Sequence, residues 1–589
     1  MIDTIPARLF RNAERRPAGP AFYEKVGDDY VPTTWAGYAD LVRTAGKALM
    51  ALGFEPGEHV TILGFNRPEW VVMDVACMAV GGAPAGIYTT NSAEEVGYIN
   101  GHSDAPVTLV ETGAQLEKVL ATHKSTPALR RIITMKGVEA HDDPDVLTWD
   151  EFMSGADEVD DADFAARLDA LEPDALATLI YTSGTTGPPK GVMLSHGNLT
   201  WTADQGIGLF GVTGDETVIS YLPLSHIAEQ MFTIHIAITA GYRIYFAESI
   251  QNLNENIKQA APTIFFAVPR VWEKFQGGVA AQLAEAHGIK AKIAAWAQKK
   301  TRAAVHETNE GRKPSLVVAI QAGLADRLVA SKVRAGLGLG ETRHAVTGAA
   351  PISTEVLEFF AGFGLSIMEV YGQSEGSGPT TFNHPGRTRF GAVGPAYPGT
   401  DVVIADDGEV LARGGTVFMG YYKDSTATAA TLVDGWLHTG DLGRIDDDGY
   451  LHITGRKKDI IITAGGKNIA PKNLESGLKD HHLIGEAVII GDRRRFLSAL
   501  ICLDMDAAGE WAAARGITGQ LHESEAIIDE VQAAVDLVNA RYARVEQIKK
   551  FRILPRELTI EDGELTGTLK VKRNVVAEHF SVDIDAMYI

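Results

Sequence analysis

The sequence predicts an α/β protein with two parts: a large N-terminal domain of layered α/β subdomains plus a β region, and a small mobile α+β C-terminal domain. Three observations carry this prediction. Helical and strand patterns alternate between residues 33 and 135, which is typical of parallel α/β layers. A mixed α+β pattern follows residue 459 and is long enough for an independent domain. A chain of 589 residues is also too long for one core.

The N-terminal part shows its elements in order. The first helices and strands are expected in turn at Trp35–Leu52, His59–Gly64, Pro68–Val80, Ala85–Tyr88, Ala93–Gly101 and Val107–Val110. Residues 139–174 are rich in Asp and Glu, which favours a solvated connection. Further strands are expected near Thr217–Leu222, Arg243–Phe246, Thr263–Val268, Ala345–Thr347 and Ser366–Tyr371. Ala, Lys, Gln and Arg recur at helical spacing over 270–345 and predict a helical insert of two or three surface helices.

A charged stretch, GRKKD at Gly455–Asp459, separates two β-rich parts of the chain. We therefore predict an N-terminal domain over 1–455, a hinge over 456–458 and a C-terminal lid domain over 459–589. A β region rich in Gly and Asp precedes the boundary, at 391–453. Beyond it we expect strands at Asp459–Thr463, Ala487–Gly491 and Ser498–Leu503, and helices at Pro471–Leu478 and Glu523–Tyr542.

Composition excludes several classes of function. The formal charge of −22 disfavours a nucleic-acid binder, and no basic patch is apparent. Cys77 and Cys502 are the only cysteines, so neither a disulfide framework nor a cysteine zinc site is expected. The sequence lacks a signal peptide and any run of roughly 18 apolar residues. We expect a soluble cytoplasmic protein, while contact with a membrane surface and the oligomeric state stay open.

The stretch YTSGTTGPPKGVMLSH, at residues 181–196, follows an apolar run typical of a buried strand. It combines hydroxyl donors, glycines that allow an anion to approach the backbone, and a mobile positive charge. Two prolines keep the stretch from continuing as a helix. We predict a phosphate-binding loop, with an ordinary polar turn as the alternative. Its candidate residues are Thr182, Ser183, Gly184, Thr185, Thr186, Gly187 and Lys190.

The spacing is not that of a Walker loop, because two residues separate Gly184 from Gly187 and a glycine follows Lys190. The stretch instead resembles the signature of the adenylate-forming (AMP-binding) superfamily of acyl- and aryl-CoA synthetases, luciferases and peptide-synthetase adenylation domains. That resemblance implies the adenylate-forming enzyme fold, and Thr182 as part of the catalytic clamp on ATP.

A second cluster, YGQSEG at Tyr371–Gly376, resembles another motif of the same superfamily. The resemblance implies that Tyr371 and Gly372 lie against adenine and that Ser374, where the family has Thr, offers its hydroxyl to phosphate. It also implies that Glu375 binds Mg²⁺, which prefers oxygen ligands. The same residues match G-x-S-x-G, the nucleophile elbow of a serine hydrolase that would use Ser374. A helix must follow such a serine, whereas SGPTTFNHPG is typical of a loop.

Three further motifs follow the family order. TGAAP, at Thr347–Pro351, resembles the loop that lies against adenine, which makes Gly348 and Ala349 candidates. Asp441 in WLHTGD resembles the carboxylate that accepts both ribose hydroxyls, and Arg456 resembles its partner on the ribose.

Two stretches bear on the acyl substrate. In YLPLSHIAE, at Tyr221–Glu229, His226 resembles the residue that lines the carboxylate end of the acyl pocket; a buried core histidine is the alternative. VPRVWEKF, at Val268–Phe275, leads into the helical insert and resembles the long-chain fatty acyl-CoA synthetase branch, with its mycobacterial-type and bubblegum-type members. Where bacterial long-chain members place a gating Trp, this chain has Gln230.

The remaining candidates lie near and beyond the predicted hinge. Lys458 matches the hinge position, and TAGGKNIAP resembles the loop along the pantetheine tunnel of CoA, with Gly465 and Gly466 as candidates. GELTGTLKVKR resembles the segment that carries the adenylation lysine. An ungapped alignment places that lysine at Thr568; long-chain members share a displacement of two residues, which favours Lys570, with Lys572 as the second choice.

The resemblance implies an ATP-dependent fatty acid–CoA ligase, a long-chain acyl-CoA synthetase. It would convert a long-chain fatty acid to acyl-AMP with release of pyrophosphate, and then transfer the acyl group to CoA. ATP, Mg²⁺, CoA and the fatty acid are the expected ligands. The alternatives are an acyl-AMP ligase that loads a carrier protein, the serine hydrolase, and a non-catalytic nucleotide sensor that would bind ATP without releasing pyrophosphate.

Overall fold

The computed structural model describes residues 3–182, 188–464, 467–566 and 570–589. Within these residues the strands form sheets of eight, five, four, four, three and two strands. Helices pack on these sheets, and the architecture is mixed α/β, as the sequence predicts. In this part of the chain no helix is both long and apolar enough to cross a membrane.

The eight-stranded sheet forms the first layer. Its spatial order is Gly420–Tyr421, Lys190–Ser195, Leu176–Thr182, Ala83–Ile87, His59–Leu63, Val107–Val110, Arg131–Thr134 and Val146–Thr148. The last six run parallel, whereas Lys190–Ser195 is antiparallel to both of its neighbours. The predicted phosphate loop therefore joins two antiparallel strands. The associated helices are Ile5–Arg15, Trp35–Ala51, Pro68–Ala79, Ala93–Ser103, Gly113–Thr122, Trp149–Ser154 and Asp161–Asp169.

Two four-stranded sheets form the next layers. One has the order Thr217–Ser220, Arg243–Phe246, Pro20–Val26, Asp29–Thr34, and the other Ile264–Ala267, His344–Thr347, Ile367–Gln373, Gly378–Phe382. Helices of this region are His196–Phe210, Ile227–Gln230, Ile236–Ala240, Leu253–Ala260 and Thr354–Ala361, with a π-helical turn at Met231–His235.

The helical insert connects two parallel neighbours, Ile264–Ala267 and His344–Thr347. Its α-helices are Pro269–Ala284, Ile289–Asn309, Leu316–Ala325 and Ser331–Gly336, and a π-helical turn at Asp326–Ala330 joins the last two. Residues 269–336 are all described, and the insert has four α-helices where two or three were expected. Gly288 and Gly311, both with positive φ, lie in the breaks between successive helices.

An antiparallel β region precedes the C-terminal part. Its strands are Thr400–Ile404, Glu409–Gly414, Trp436–Ile445, Leu432–Val433 and Leu451–Arg456, with one helix at Ser425–Thr431. A short 3₁₀ turn at Lys457–Asp459 follows the last strand.

The C-terminal part has apolar clusters of its own, formed by residues from 461 onward. Its strands are Ile461–Ile462 with Asn468–Ile469, and Ile484–Ile490 with Leu497–Leu503 and Ile548–Ile553. Its helices are Pro471–Lys479, Met505–Ala513, Glu525–Asn539, Arg573–His579 and Ser581–Tyr588. A separate core is what a small independent domain requires.

Candidate active site

A cavity of about 650 Å³ lies between the N-terminal sheets and the C-terminal part. Most of the predicted site residues that the structure describes line it: Thr182, Lys190, His226, Ala349, Gly372, Ser374, Glu375, Arg456, Lys458 and Lys570. Residues that are distant in sequence are therefore brought to one cavity, as a shared ligand requires.

The polar end of this cavity is rich in positive charge. Its charged lining residues are the cations Lys190, Arg456, Lys457, Lys458 and Lys570 and the carboxylates Glu375, Glu409 and Asp459. The cations outnumber the carboxylates here, although the chain as a whole carries a formal charge of −22. A cleft lined by an excess of one sign concentrates ligands of the opposite sign, so this end suits an anion.

Glu375 is held by a tyrosine that the sequence analysis did not identify. The Tyr421 hydroxyl donates to Glu375 Oε1 over 2.8 Å. Tyr421 belongs to the short edge strand beside Lys190–Ser195, and Lys190 Nζ lies 4.8 Å from the centre of its ring. Lys190 Nζ is also 3.6 Å from Asp424 Oδ2. Tyr421 thus links the predicted metal ligand to the predicted phosphate-binding lysine.

Gly372 occupies a position that no side chain can enter. A Cβ atom added there would lie 1.7 Å from the carbonyl oxygen of Gly378, on the neighbouring antiparallel strand. The close approach of these two strands sets the direction of the chain into Ser374 and Glu375.

The geometry around Ser374 does not fit a nucleophile elbow. Ser374 begins a three-residue 3₁₀ turn and is buried, and the chain continues directly into the strand Gly378–Phe382. Over residues 373–382, which are all described, no α-helix follows the serine. The strand–turn–helix arrangement of a serine hydrolase is therefore missing.

Tyr371, Asp441 and Arg456 form a hydrogen-bonded cluster at the wall of the cavity. The Tyr371 hydroxyl donates to Asp441 Oδ2 over 2.7 Å, and Arg456 Nε donates to Asp441 Oδ1 over 2.9 Å. Asp441 and Arg456 are direct partners across two antiparallel strands. Burial raises the pKa of Tyr371 well above its usual value, which keeps its hydroxyl protonated as a donor. Arg456 is among the lining residues of the cavity, and Tyr371 and Asp441 adjoin the lining residues Gly372 and Gly440.

Of the two candidate residues in the predicted adenine loop, one is buried and the other lines the cavity. Gly348 is buried, and an added Cβ atom would lie 2.6 Å from Val370 Cγ1. Ala349 is exposed, lines the cavity and has a φ of +67°, a region that alanine rarely adopts. Such local strain is common at ligand-binding sites.

His226 lines the cavity at the start of the helix Ile227–Gln230. Its Nδ1 accepts a hydrogen bond from the backbone N–H of Ala228 over 3.1 Å. Burial and then the nearby charge of Lys570 lower the pKa of His226 to about 4, so the ring is neutral at physiological pH. A neutral ring that accepts at Nδ1 carries its proton on Nε2. His226 therefore has one N–H donor left for a ligand.

An apolar arm extends from the His226 end of the cavity. The apolar side chains along it are Phe210, Ile227, Met231, Phe232, Ile236, Phe266, Val370 and Phe382. A small second pocket continues this arm past Val212, Ile264 and Val346. Gln230 is fully buried and donates from its amide to the Leu224 carbonyl over 2.9 Å, so it supports the wall and is not a gate within the arm.

Lys570 reaches the cavity from the C-terminal part. Its side chain keeps solvent contact, but protein groups surround it, and burial followed by the charges of Arg456 and Lys472 lowers its pKa. Its backbone N–H donates to Thr566 Oγ1 over 3.1 Å. Lys572, also described, does not line the cavity and begins the helix Arg573–His579. The structure thus brings the first-choice lysine, not the second, to the other candidates.

The C-terminal part is closed against the N-terminal part by ion pairs. Arg270 Nη2 lies 2.7 Å from Asp504 Oδ2, and Arg541 Nη2 lies 3.8 Å from Glu355 Oε1. Both pairs join residues on opposite sides of the predicted hinge at Lys458. In this arrangement Lys570 lies near His226 and Glu375.

The donor set suits Mg²⁺ that is shared with a phosphate ligand. Among the described residues no group of three or more His, Cys, Asp or Glu side chains could hold a metal by itself. Glu375 supplies one carboxylate at the cation-rich end of the cavity. Mg²⁺ commonly takes one or two carboxylates and completes its shell with water and substrate phosphates, so a single carboxylate fits this ion.

Two family models match the chain. The model of the AMP-binding enzyme matches residues 9–422, and that of the AMP-binding enzyme C-terminal domain matches residues 458–589. The chain belongs to the AMP-binding enzyme family. The resemblance inferred from the sequence motifs is therefore confirmed.

Relatives in this family match over nearly the whole chain. The long-chain-fatty-acid–CoA ligase FadD15 of Mycobacterium tuberculosis is 39% identical, and the match covers 100% of this chain and 97% of the relative. The ligase ACSBG1 of Homo sapiens, which bears the same activity name, is 36% identical over 96% of this chain and 82% of the relative.

Solved structures of AMP-binding enzymes share the fold. The anthranilate CoA ligase AuaEII in complex with anthranoyl-AMP matches with a TM-score of 0.71 and 19% identity, over 98% of this chain and 97% of that one. The O-succinylbenzoate CoA synthetase of Bacillus subtilis, with ATP and magnesium, matches with a TM-score of 0.69 and 22% identity, over 96% and 98%. These matches confirm the predicted fold of a large N-terminal and a small C-terminal domain.

Some predicted residues lie outside the described part of the chain: Ser183, Gly184, Thr185, Thr186, Gly187, Gly465, Gly466 and the alignment position Thr568. Other lining residues were missed by the motifs, chiefly Tyr421, Lys457 and the aromatic side chains of the apolar arm. Tyr421 lies in GYYKD, and nothing in that stretch signals a contact with Glu375, which is 46 residues away.

Proposed function

We propose that the chain is a long-chain fatty acid–CoA ligase that forms AMP. It transfers AMP to a fatty acid with release of pyrophosphate, and then transfers the acyl group to CoA. The observation that carries this proposal is one cavity that joins an apolar arm to a cation-rich end. The long-chain ligases with which the chain shares 34–39% identity support the substrate class.

The apolar arm takes the acyl chain, and its carboxylate lies at His226. The Nε2–H of the neutral imidazole donates to one carboxylate oxygen. Because a neutral donor orients the carboxylate without neutralising it, the second oxygen keeps its nucleophilic character. Holding this oxygen in line with the α-phosphate converts a bimolecular step into an effectively unimolecular one.

The cation-rich end takes ATP. Thr182, Lys190 and Ser374 surround the triphosphate, together with the predicted loop residues outside the described part. Ala349 and the backbone at Gly348 and Gly372 lie against adenine, with Tyr371 behind them. Asp441 already accepts from Tyr371 and Arg456, but a carboxylate has about four acceptor sites, so it can also accept both ribose hydroxyls.

In the first step the carboxylate oxygen bonds to the α-phosphorus, and the bond between that phosphorus and the bridging oxygen of pyrophosphate breaks. Lys570 contacts the acid oxygen and the α-phosphate as negative charge develops on them. Glu375 would hold Mg²⁺, which would supply positive charge to the phosphates. The protein acts by positioning and by charge stabilisation.

In the second step the CoA thiol attacks the acyl carbon, the acyl–oxygen bond to AMP breaks, and the thiol proton is lost to solvent. The C-terminal domain turns about Lys458, which removes Lys570 and brings Gly465 and Gly466 to the pantetheine arm. Conformational steps of this kind expose a second catalytic arrangement in the same cavity. We place the reaction in the cytoplasm.

The test is ATP–pyrophosphate exchange with acids of increasing chain length, each with and without CoA. Exchange that rises toward long chains, with thioester formed when CoA is present, is the expected result. Absence of exchange with every fatty acid would reject the substrate class. Exchange without thioester would point to an acyl-AMP ligase that loads a carrier protein, and ATP-independent ester hydrolysis that is abolished by Ser374→Ala would point to a hydrolase.

A further inference from the structure

The helical insert presents an apolar surface to solvent. On the helix Leu316–Ala325 the side chains of Leu316, Val317, Ile320 and Leu324 are 78, 65, 65 and 52% exposed, and Leu328 on the following turn is 43% exposed. At 100° per residue the four helix positions fall within about one third of the circumference. We call these five residues the apolar face.

The opposite side of the same helix is packed. Ala325 is fully buried, and Val318 and Ala322 are partly covered. The helix contacts Ile289–Asn309, whose first turns carry two more exposed apolar residues, Ile289 at 76% and Ile293 at 40%. A helix that already has a packed side has no need of a second apolar side for its own stability, so the apolar face is available to a partner.

The segment of chain that carries the apolar face is also rich in positive charge. Residues 289–334 contain ten Lys and Arg and three Asp and Glu, a net charge of +7 in a chain of −22. The expectation that no basic patch exists is therefore wrong for this segment. Among the described residues, seven of these cations have no ion-pair partner: Lys290, Lys292, Lys299, Lys300, Lys313, Arg327 and Lys332.

We propose that the apolar face and the cations of its segment form a docking surface for an anionic lipid membrane. Apolar side chains on one face of a helix and unpaired Lys and Arg beside them are the two features that bind interfacial helices to anionic bilayers. Nucleic acid would match the charge but not five exposed aliphatic side chains. A second copy of this chain would match the apolar side chains but would bring two basic segments together.

The helical insert that carries the docking surface is joined at both ends to strands of the acyl pocket. The insert begins directly after the strand Ile264–Ala267 and ends before the strand His344–Thr347. Both strands contribute lining residues to the apolar arm, among them Ile264, Phe266 and Val346. The proposed membrane-binding segment and the acyl pocket are thus directly connected through these two strands.

The test is co-sedimentation of the full-length protein with vesicles of phosphatidylcholine alone and of phosphatidylcholine with phosphatidylglycerol. Wild type should bind the anionic vesicles and lose binding at high salt. The variant Ile320→Asp with Leu324→Asp should bind at least about ten-fold more weakly, since it removes two apolar anchors and adds two negative charges. The matched control, Leu537→Asp with Val582→Asp, changes two exposed apolar residues of the C-terminal domain and should bind like wild type.

Thermal unfolding and exchange with a short, water-soluble acid should be the same in all three proteins, which separates lost docking from lost folding or catalysis. If the Asp variant does not fold, Ile320→Ser with Leu324→Ser replaces it. Equal binding of wild type and variant would overturn the proposal, as would absence of binding to anionic vesicles. A wild-type dimer that the variant converts to a monomer, without vesicle binding, would identify the surface as a self-association face.

Discussion

Lys570→Ala is the substitution that most directly tests the arrangement of the cavity. Lys570 is, with Asp459, one of the two described residues of the C-terminal domain that line the cavity, and its positive charge lies near Arg456, Asp441 and Glu375. The matched control is Lys572→Ala, because Lys572 has the same charge but does not line the cavity.

The expected magnitude follows from what each change removes. Loss of one preorganised donor at the centre of developing charge typically costs about 10²- to 10³-fold in rate, so Lys570→Ala should slow adenylation by that factor. At Lys572 the backbone N–H donates to the Glu564 carbonyl over 2.7 Å, and this bond survives truncation of the side chain. Lys572→Ala should therefore change adenylation less than about three-fold.

The assay separates the two half-reactions. Adenylation is measured as ATP–pyrophosphate exchange, and thioester formation is measured from supplied acyl-AMP and CoA. Lys570→Ala should lower the first and leave the second close to wild type. Because the pKa of Lys570 is lowered, wild-type adenylation should also fall at a less alkaline pH than an ordinary lysine would predict.

The opposite pattern would refute the assignment. If Lys572→Ala loses adenylation while Lys570→Ala keeps it, the lysine of the first step is Lys572, and the closed arrangement described here is not the adenylating one. If both variants lose both half-reactions equally, the segment supports the fold and does not contribute a reacting group.

Three further predictions concern single residues. Gly372→Ala should abolish ATP–pyrophosphate exchange, since its Cβ atom would lie 1.7 Å from the Gly378 carbonyl oxygen. The control Gly277→Ala, on a helix with open space around the added Cβ, should leave the exchange rate unchanged. Exchange activity in Gly372→Ala would contradict the packing described here. His226→Ala should raise the KM for the fatty acid about ten-fold and leave that for ATP unchanged, as expected for one lost hydrogen bond to a charged group; an unchanged fatty-acid KM would exclude the contact. Burial raises the pKa of Glu369 to about 8 from 4.5, so between these two pH values its carboxyl ionises in the unfolded chain but not in the folded one. The free energy of unfolding therefore falls as the pH rises from 4.5 to 8, by about 1.4 kcal/mol per pH unit at most. Glu369→Gln should match wild type near pH 4 and be more stable at pH 8 in chemical unfolding, and a difference independent of pH would refute this origin.

The motifs select residues that the structure brings to one cavity, because their chemical groups are concentrated in short stretches. Glu375, Asp441 and Lys570 each lie in a run whose residue types are unusual together, and hydroxyls, glycines and charges signal a phosphate ligand wherever they fall in the fold. Buried strands such as Val107–Val110 were predicted with their observed bounds, since a continuous apolar run between polar segments has few other structures available.

The contact between Tyr421 and Glu375 could not be predicted from the sequence, because it depends on pairing between strands that are far apart in the chain. Tyr421 reaches Glu375 only because Gly420–Tyr421 pairs with Lys190–Ser195, and neither stretch shows a pattern that indicates its partner. The apolar face was missed for a different reason. A run such as LVVAIQAGLA predicts a helix, but the same apolar residues would appear in a helix that is buried.

The helices of the insert can change in length and in surface residues more easily than the rest of the large domain. Both of its ends are fixed by strands in parallel register, Ile264 with His344 and Ala267 with Thr347. Helices between two such anchors can be lengthened, shortened or resurfaced without moving the cavity that the strands enclose. If the insert binds a membrane as proposed, mutations in it can change which surface the enzyme binds while the residues of the cavity stay the same.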